Sequence, residues 1–138
     1  MNMGRRFSRE IAMKLLYQMQ FQQDNKEEQL KEVLEKYPFN EKEREYVEDV
    51  VNGVLNNLDK IDKLIEQRAI GWKLNRIPKV DLALLRLGIY EILFRDDIPY
   101  TVTINEAVEL AKKYSTEESG AFINGIFSNI PKGTGLIE

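Results

Sequence analysis

The stretch from Pro78 to Arg95, PKVDLALLRLGIYEILFR, limits the fold more than any other part of the chain. Its apolar residues are Val80, Leu82, Ala83, Leu84, Leu85, Leu87, Ile89, Ile92, Leu93 and Phe94. They fall on nearly every side of an α-helix. A helix that is apolar all round has to be enclosed by other elements. At 1.5 Å per residue it is about 27 Å long, short of a bilayer crossing. Asp81, Arg86, Glu91 and Arg95 also interrupt it. The stretch therefore predicts the buried central helix of a soluble helical domain, with Pro78 in the first turn, where a missing N–H is no loss.

The chain has 138 residues, enough for one domain or for two small subdomains sharing a core. It contains neither Cys nor His. Disulfides and thiol chemistry are excluded, which fits a cytoplasmic protein. A structural zinc site, a Ser-His-Asp triad and the Glu-x-x-His pairs of di-iron bundles all lack their ligands or bases. An enzyme is therefore not expected, and neither is a cofactor or a metal. No secretion signal or membrane span is visible. The net charge is −3, but residues 1–20 hold Arg5, Arg6, Arg9 and Lys14 against Glu10 alone, a local charge of +3. A basic end on an acidic body suggests a local electrostatic site.

Phe7, Ile11, Leu15 and Met19 recur every four residues and predict an amphipathic first helix from about Arg5 to Gln22. Arg6 and Tyr17 project within about 20° of each other, and Met13 lies about 20° further round. Arg9 and Gln20 flank them. Guanidinium forks match phosphate oxygens, and an aromatic face can stack an unpaired base. The same pattern also describes an ordinary solvated face whose tyrosine packs on a neighbouring helix.

Further helices follow in order. Leu30, Val33, Leu34 and Tyr37 mark a second, stopped by Pro38. Asn40 with Glu43 forms a capping box ahead of the stripe from Tyr46 to Leu58, in which Gly53 permits close helix approach. Asn56-Asn57 breaks the chain before a short helix over about Asp59 to Gln67. Trp72 is expected to be wedged where the two halves meet. The Asp96-Asp97 pair reads as a turn rather than a cation site. Thr103 with Glu106, and Ser115 with Glu118, read as capping boxes for the last two helices. Lys132 to Glu138 reads as a frayed tail. The fold class is all-α: about seven helices in two helical bundles sharing a buried central helix. The domain spans 1–131, with subdomains of about 1–70 and 71–131 and a flexible tail over 132–138.

Four stretches taken together resemble the NusB family of bacterial transcription antitermination factors. They are Arg5-Arg6 through Glu10 to Leu16-Tyr17; Val80-Asp81 through Leu85-Arg86 to Tyr90-Glu91; Ile98-Pro99-Tyr100 with the run INEAVELAK; and Phe122-Ile123-Asn124-Gly125. The resemblance implies a small, non-enzymatic helical factor. It implies binding of single-stranded boxA leader RNA together with NusE, a small-subunit ribosomal protein. The pair would help assemble an antitermination complex on RNA polymerase, chiefly at ribosomal RNA operons. By position, the resemblance places RNA-binding residues at Arg5, Arg6, Arg9, Tyr17, Glu118 and Phe122, and a NusE contact at Asp81. Glu118 stands where some relatives carry aspartate.

From the residues alone, Phe122 and Glu118 are equally explained by packing and by capping. Asn105 and Asn124 read as interior or capping groups that need hydrogen-bond partners. The competing function is a protein-interaction or homo-oligomerising helical module, a homodimer among the possibilities, without direct RNA contact, whose basic helix meets an acidic partner or its own acidic face. A third reading, the NusB-like domain that precedes some RNA methyltransferases, lacks here any strand–Gly-loop–helix unit for S-adenosylmethionine.

Overall fold

The structure is a computed structural model, and it describes residues 4–137. Seven α-helices run in order: α1 (Gly4–Phe21), α2 (Lys26–Lys36), α3 (Glu41–Asn56), α4 (Leu58–Arg68), α5 (Lys79–Phe94), α6 (Tyr100–Tyr114) and α7 (Glu117–Phe127). A 3₁₀ turn, Leu74–Arg76, leads into α5, and no strand occurs among the described residues.

The central helix is enclosed as its composition requires. Twelve of the sixteen residues of α5 are buried, and the helix packs against α1, α3, α4, α6 and α7. Two glycines permit the closest approaches. A Cβ on Gly53 would stand 2.1 Å from the Tyr90 ring, and one on Gly88 would stand 2.2 Å from Phe127. Asn40 and Glu43 form the expected capping box, and Asn57 divides α3 from α4.

Three local expectations fail for identifiable reasons. Thr103 does not start α6, because Pro99 precedes a helix that opens at Tyr100. Thr103 instead sits one turn in, buried, with its hydroxyl donating to Glu91. In α7 the cap is Thr116, which accepts from the Ser119 backbone N–H, so Glu118 has no capping box to complete. Residues 132–137 fold back rather than fray. Gly133 N–H donates to the Ile92 carbonyl, and Lys132 Nζ donates to the carbonyls of Glu91 and Arg95. The Ile92 carbonyl is one of the acceptors that the end of α5 leaves open, while those of Glu91 and Arg95 also accept from the Arg95 and Ile98 N–H groups. Glu138 lies outside the described residues.

Trp72 is 50% exposed rather than wedged inside. Gly71, at φ +85°, turns the chain there, and Leu74 and Ile77 supply the inward contacts of the connector.

Candidate nucleic-acid interface

Helix α1 runs beside α5 and α3, and its basic residues divide between two environments. Arg9 is 3% exposed. Its Nε and Nη2 donate to Glu91 Oε2 and Oε1 at 2.8 and 3.0 Å. Glu91 is fully buried and also accepts from the hydroxyls of Tyr46 and Thr103. A buried carboxylate persists when it is paired and its lone pairs are satisfied, and this one meets both conditions. Burial opposes the Arg9 charge, but Tyr46 and Glu91 outweigh it and raise the guanidinium further above its ordinary range. Burial, and next the Glu91 charge, push the Tyr46 phenol well above its usual value.

Arg9 is therefore a core residue that ties α1 to α5, and it is closed to phosphate. The helical-wheel estimate put it on the edge of the outer face, as it did Met13, which is also buried. The signal that could have found the pairing is Glu91 itself, a carboxylate in a helix with no wet side.

Arg6 is the opposite case. Its side chain is 83% exposed, and its Nε and Nη2 donate to Glu106 of α6 at 2.9 and 3.2 Å. The pair aligns the fork while leaving it in solvent. Arg5 lies partly exposed, with its guanidinium 4.5 Å from the Tyr46 ring centroid and 4.0 Å from Asp97. Tyr17 is 37% exposed and meets Phe21, itself 61% exposed, edge to face at 5.1 Å. The expected outward arginine, Arg6, and the phenol of Tyr17 thus share a face, while Arg5 turns toward Tyr46 and Asp97 and Arg9 is buried.

Lys14, part of the basic cluster, stands 5.1 Å from the Tyr114 ring. Beside it lies a residue the sequence pattern did not single out, Lys113 of α6, which donates to Glu10 at 2.8 Å. Its signal is the run Lys112-Lys113-Tyr114, two lysines and an aromatic ring at a helix end.

The remaining expected residues scatter. Glu118 is exposed at the start of α7, and Phe122 is half-buried one turn on, packed against Trp72 with ring centroids 5.9 Å apart. Asn105 and Asn124 are both exposed, so neither is an interior polar group. Asp81 is 2% exposed in the first turn of α5, and its Oδ1 has no hydrogen-bond partner among the described residues. The helix N-terminus favours a carboxylate there, but a partner cannot touch a side chain that is shut in. No cluster of potential metal ligands occurs among the described residues.

The model described as the NusB family matches residues 6–132 of this chain. The chain belongs to the NusB family. The transcription antitermination protein NusB of Acetivibrio thermocellus is 63% identical over 130 residues, covering 94% of this chain and 90% of that protein. That of Ruminiclostridium cellulolyticum is 53% identical, covering 95% and 90%. Among solved structures, NusB of T. maritima superposes with a TM-score of 0.86 at 43% identity, covering 93% of this chain and 90% of that one. A structure of antitermination factors NusB and NusE in complex with dsRNA gives a TM-score of 0.81 at 31% identity, covering 90% and 92%. Family membership accounts for the all-α architecture around a buried α5. Among the described residues, no helix is long and apolar enough to cross a membrane.

Proposed function

We propose that this chain is a cytoplasmic antitermination factor that captures single-stranded boxA-type leader RNA on the outer face of α1. It acts with NusE, docked on helices of the C-terminal half, to assemble an antitermination complex on RNA polymerase, chiefly at ribosomal RNA operons. It works by binding and performs no chemistry of its own. Similarity to the NusB relatives supports this reading, and one observation carries its physical part. The Arg6 fork and the Tyr17 ring are both exposed on the same helix, about 16 Å apart along its axis. A fork at that position takes a phosphate, and a free ring takes an unstacked base.

Arg5 adds a partly exposed guanidinium on α1, whereas Phe122 and Glu118 lie on α7, apart from the α1 face. Arg9 contributes by fixing α1 rather than by contact. Asp81, being buried, would act on NusE docking only through the shape of the α5 N-terminus.

The test is fluorescence anisotropy of labelled RNA at increasing salt. Each neutralised phosphate contributes about −0.7 to the log–log slope for a single strand, so Arg5 and Arg6 together give a slope of about −1.4. Arg6→Ala lowers the slope by about 0.7, and Tyr17→Ala costs about 1–3 kcal/mol. Single strands should outcompete the matching duplex, whose bases are already stacked. A salt-independent signal, or full affinity in Tyr17→Ala, refutes the reading.

A further inference from the structure

We infer that the groove beneath Trp72 is a second nucleotide-binding site, in which the indole stacks a base of the RNA strand. This rests on the RNA-binding reading above and extends it to a surface away from Arg5 and Arg6.

The groove has a volume of about 750 Å³ and lies between the C-terminal end of α1, the start of α4 and the start of α5. That volume is in the range of sites that enclose a small ligand. Trp72 forms one wall. Its backbone N–H is tied to the Ala69 carbonyl at 3.0 Å, and its ring is braced by Phe122 while half of it stays in solvent. Burial is the usual fate of the only tryptophan in a chain, because the ring gains so much by leaving water. Here the turn at Gly71 holds the ring outside, with a second aromatic behind it.

The charge around the groove is the second observation. Lys26, Lys73 and Lys79 line it, and none meets a carboxylate among the described residues. Arg86 is already engaged in a two-point pair with Asp62 at 2.9 Å, and Glu66 is the one acid in the lining. On a chain of net charge −3, three unpaired lysines around one open groove favour an anionic occupant.

The polar groups are the third. Gln20 donates to the Lys79 carbonyl at 2.8 Å, yet its Oε1 is buried without a partner among the described residues. That atom has almost no accessible surface, so Gln20 holds the start of α5 rather than meeting an occupant. Gln23 and Asn75, both exposed in the same lining, are the amides an occupant can reach. An aromatic platform, unpaired cations and side-chain amides together form the usual equipment of a single-strand site. An acidic amphipathic peptide would satisfy the lysines but would leave the ring face without its best partner.

Trp72 is the only tryptophan, so its emission reports on this groove alone. The experiment titrates the full chain with oligo(A) and oligo(U), following Trp72 emission and the anisotropy of end-labelled RNA in parallel. Quenching that saturates with the anisotropy supports the site. Trp72→Ala should then weaken binding by roughly 5- to 150-fold, and Trp72→Phe should retain most of it. Lys73→Glu combined with Lys79→Glu should flatten the salt dependence by about 1.4. If RNA binds in an Arg6-dependent way while Trp72 emission and the Trp72→Ala affinity stay unchanged, this site is wrong and the α1 reading stands. If neither RNA binds at low salt, both fail. Quenching by a Glu-rich amphipathic peptide, with none by RNA, would reassign the groove to protein and overturn the proposal.

Discussion

Replacing Arg9 by methionine separates folding from RNA binding more cleanly than any other single change. Methionine fills much of the aliphatic stem but removes the guanidinium that meets Glu91 at 2.8 and 3.0 Å. Glu91 has no exposed surface, so its charge loses, in a dry site, the one cationic side chain it meets among the described residues. Breaking a buried pair from one side costs about 3–5 kcal/mol. With a urea m-value of about 2 kcal/mol/M, the unfolding midpoint should fall by roughly 1.5–2.5 M. Tyr46 and Thr103 still donate to Glu91, which places the loss toward the lower end. Changing Glu91 to leucine in the same background should recover part of the stability. The recovery is incomplete, because those two hydroxyls then lose their acceptor. Measured cold and without denaturant, where the variant is folded, RNA affinity and salt slope should match the parent. Arg6→Ala should do the reverse, with an unchanged midpoint and weaker RNA binding. An Arg9→Met variant of ordinary stability whose salt slope drops by about 0.7 would show that this guanidinium reaches phosphate, and would refute its assignment to the core.

Three further outcomes follow from the packing and the charges. Gly88→Ala drives a methyl to within 2.2 Å of the fully buried Phe127 ring and should cost about 1–3 kcal/mol, read as a lowered thermal midpoint. Tyr46 should impose an alkaline limit on stability. Its folded pKa lies well above the ordinary 10, so the native state holds a proton that the unfolded chain releases. Its contribution is whole below about pH 10 and declines as pH rises from there through the folded value. Urea midpoints measured upward from pH 9 should show the decline, and Tyr46→Phe should remove much of it. Glu106→Gln should raise RNA affinity a few-fold at low salt, since it frees the exposed Arg6 fork and removes a negative charge beside it; unchanged or weaker binding would mean that Glu106 presents the fork rather than competing for it.

The helices were legible because each carried its own period. The apolar run of α5, the four-residue recurrence in α1 and the Asn40 capping box are local signals, and local chemistry decided them. The site was only half legible, for a reason visible in Arg9 and Arg6. The two lie three residues apart on one amphipathic helix, with identical side chains, and a helical wheel separates them by about 60°. What assigns one to the core and the other to solvent is a carboxylate more than eighty positions away. Trp72 shows the same limit in reverse. Composition argues for burial, but the turn at Gly71 and the Phe122 ring, fifty residues on, decide that it faces water.

The Arg9 case turns on the polar interruptions of α5. Charged residues along this enclosed stretch, Asp81 excepted, recruit opposites from other parts of the chain, and where the recruited side chain is buried, as Arg9 is, it is lost to the surface. Glu91 takes Arg9, and Arg86 takes Asp62. Arg95 takes Glu45, Asp49 and Asp97. The basic residues that α5 has not claimed include Arg5, Arg6 and Lys14 on α1 and the lysines around the Trp72 groove, with Arg6 held in solvent by Glu106 of α6. Counting basic residues along α1 therefore overstates its affinity for phosphate. Subtracting the partners demanded by the buried helix gives two arginines on α1, and the salt slope tests that number.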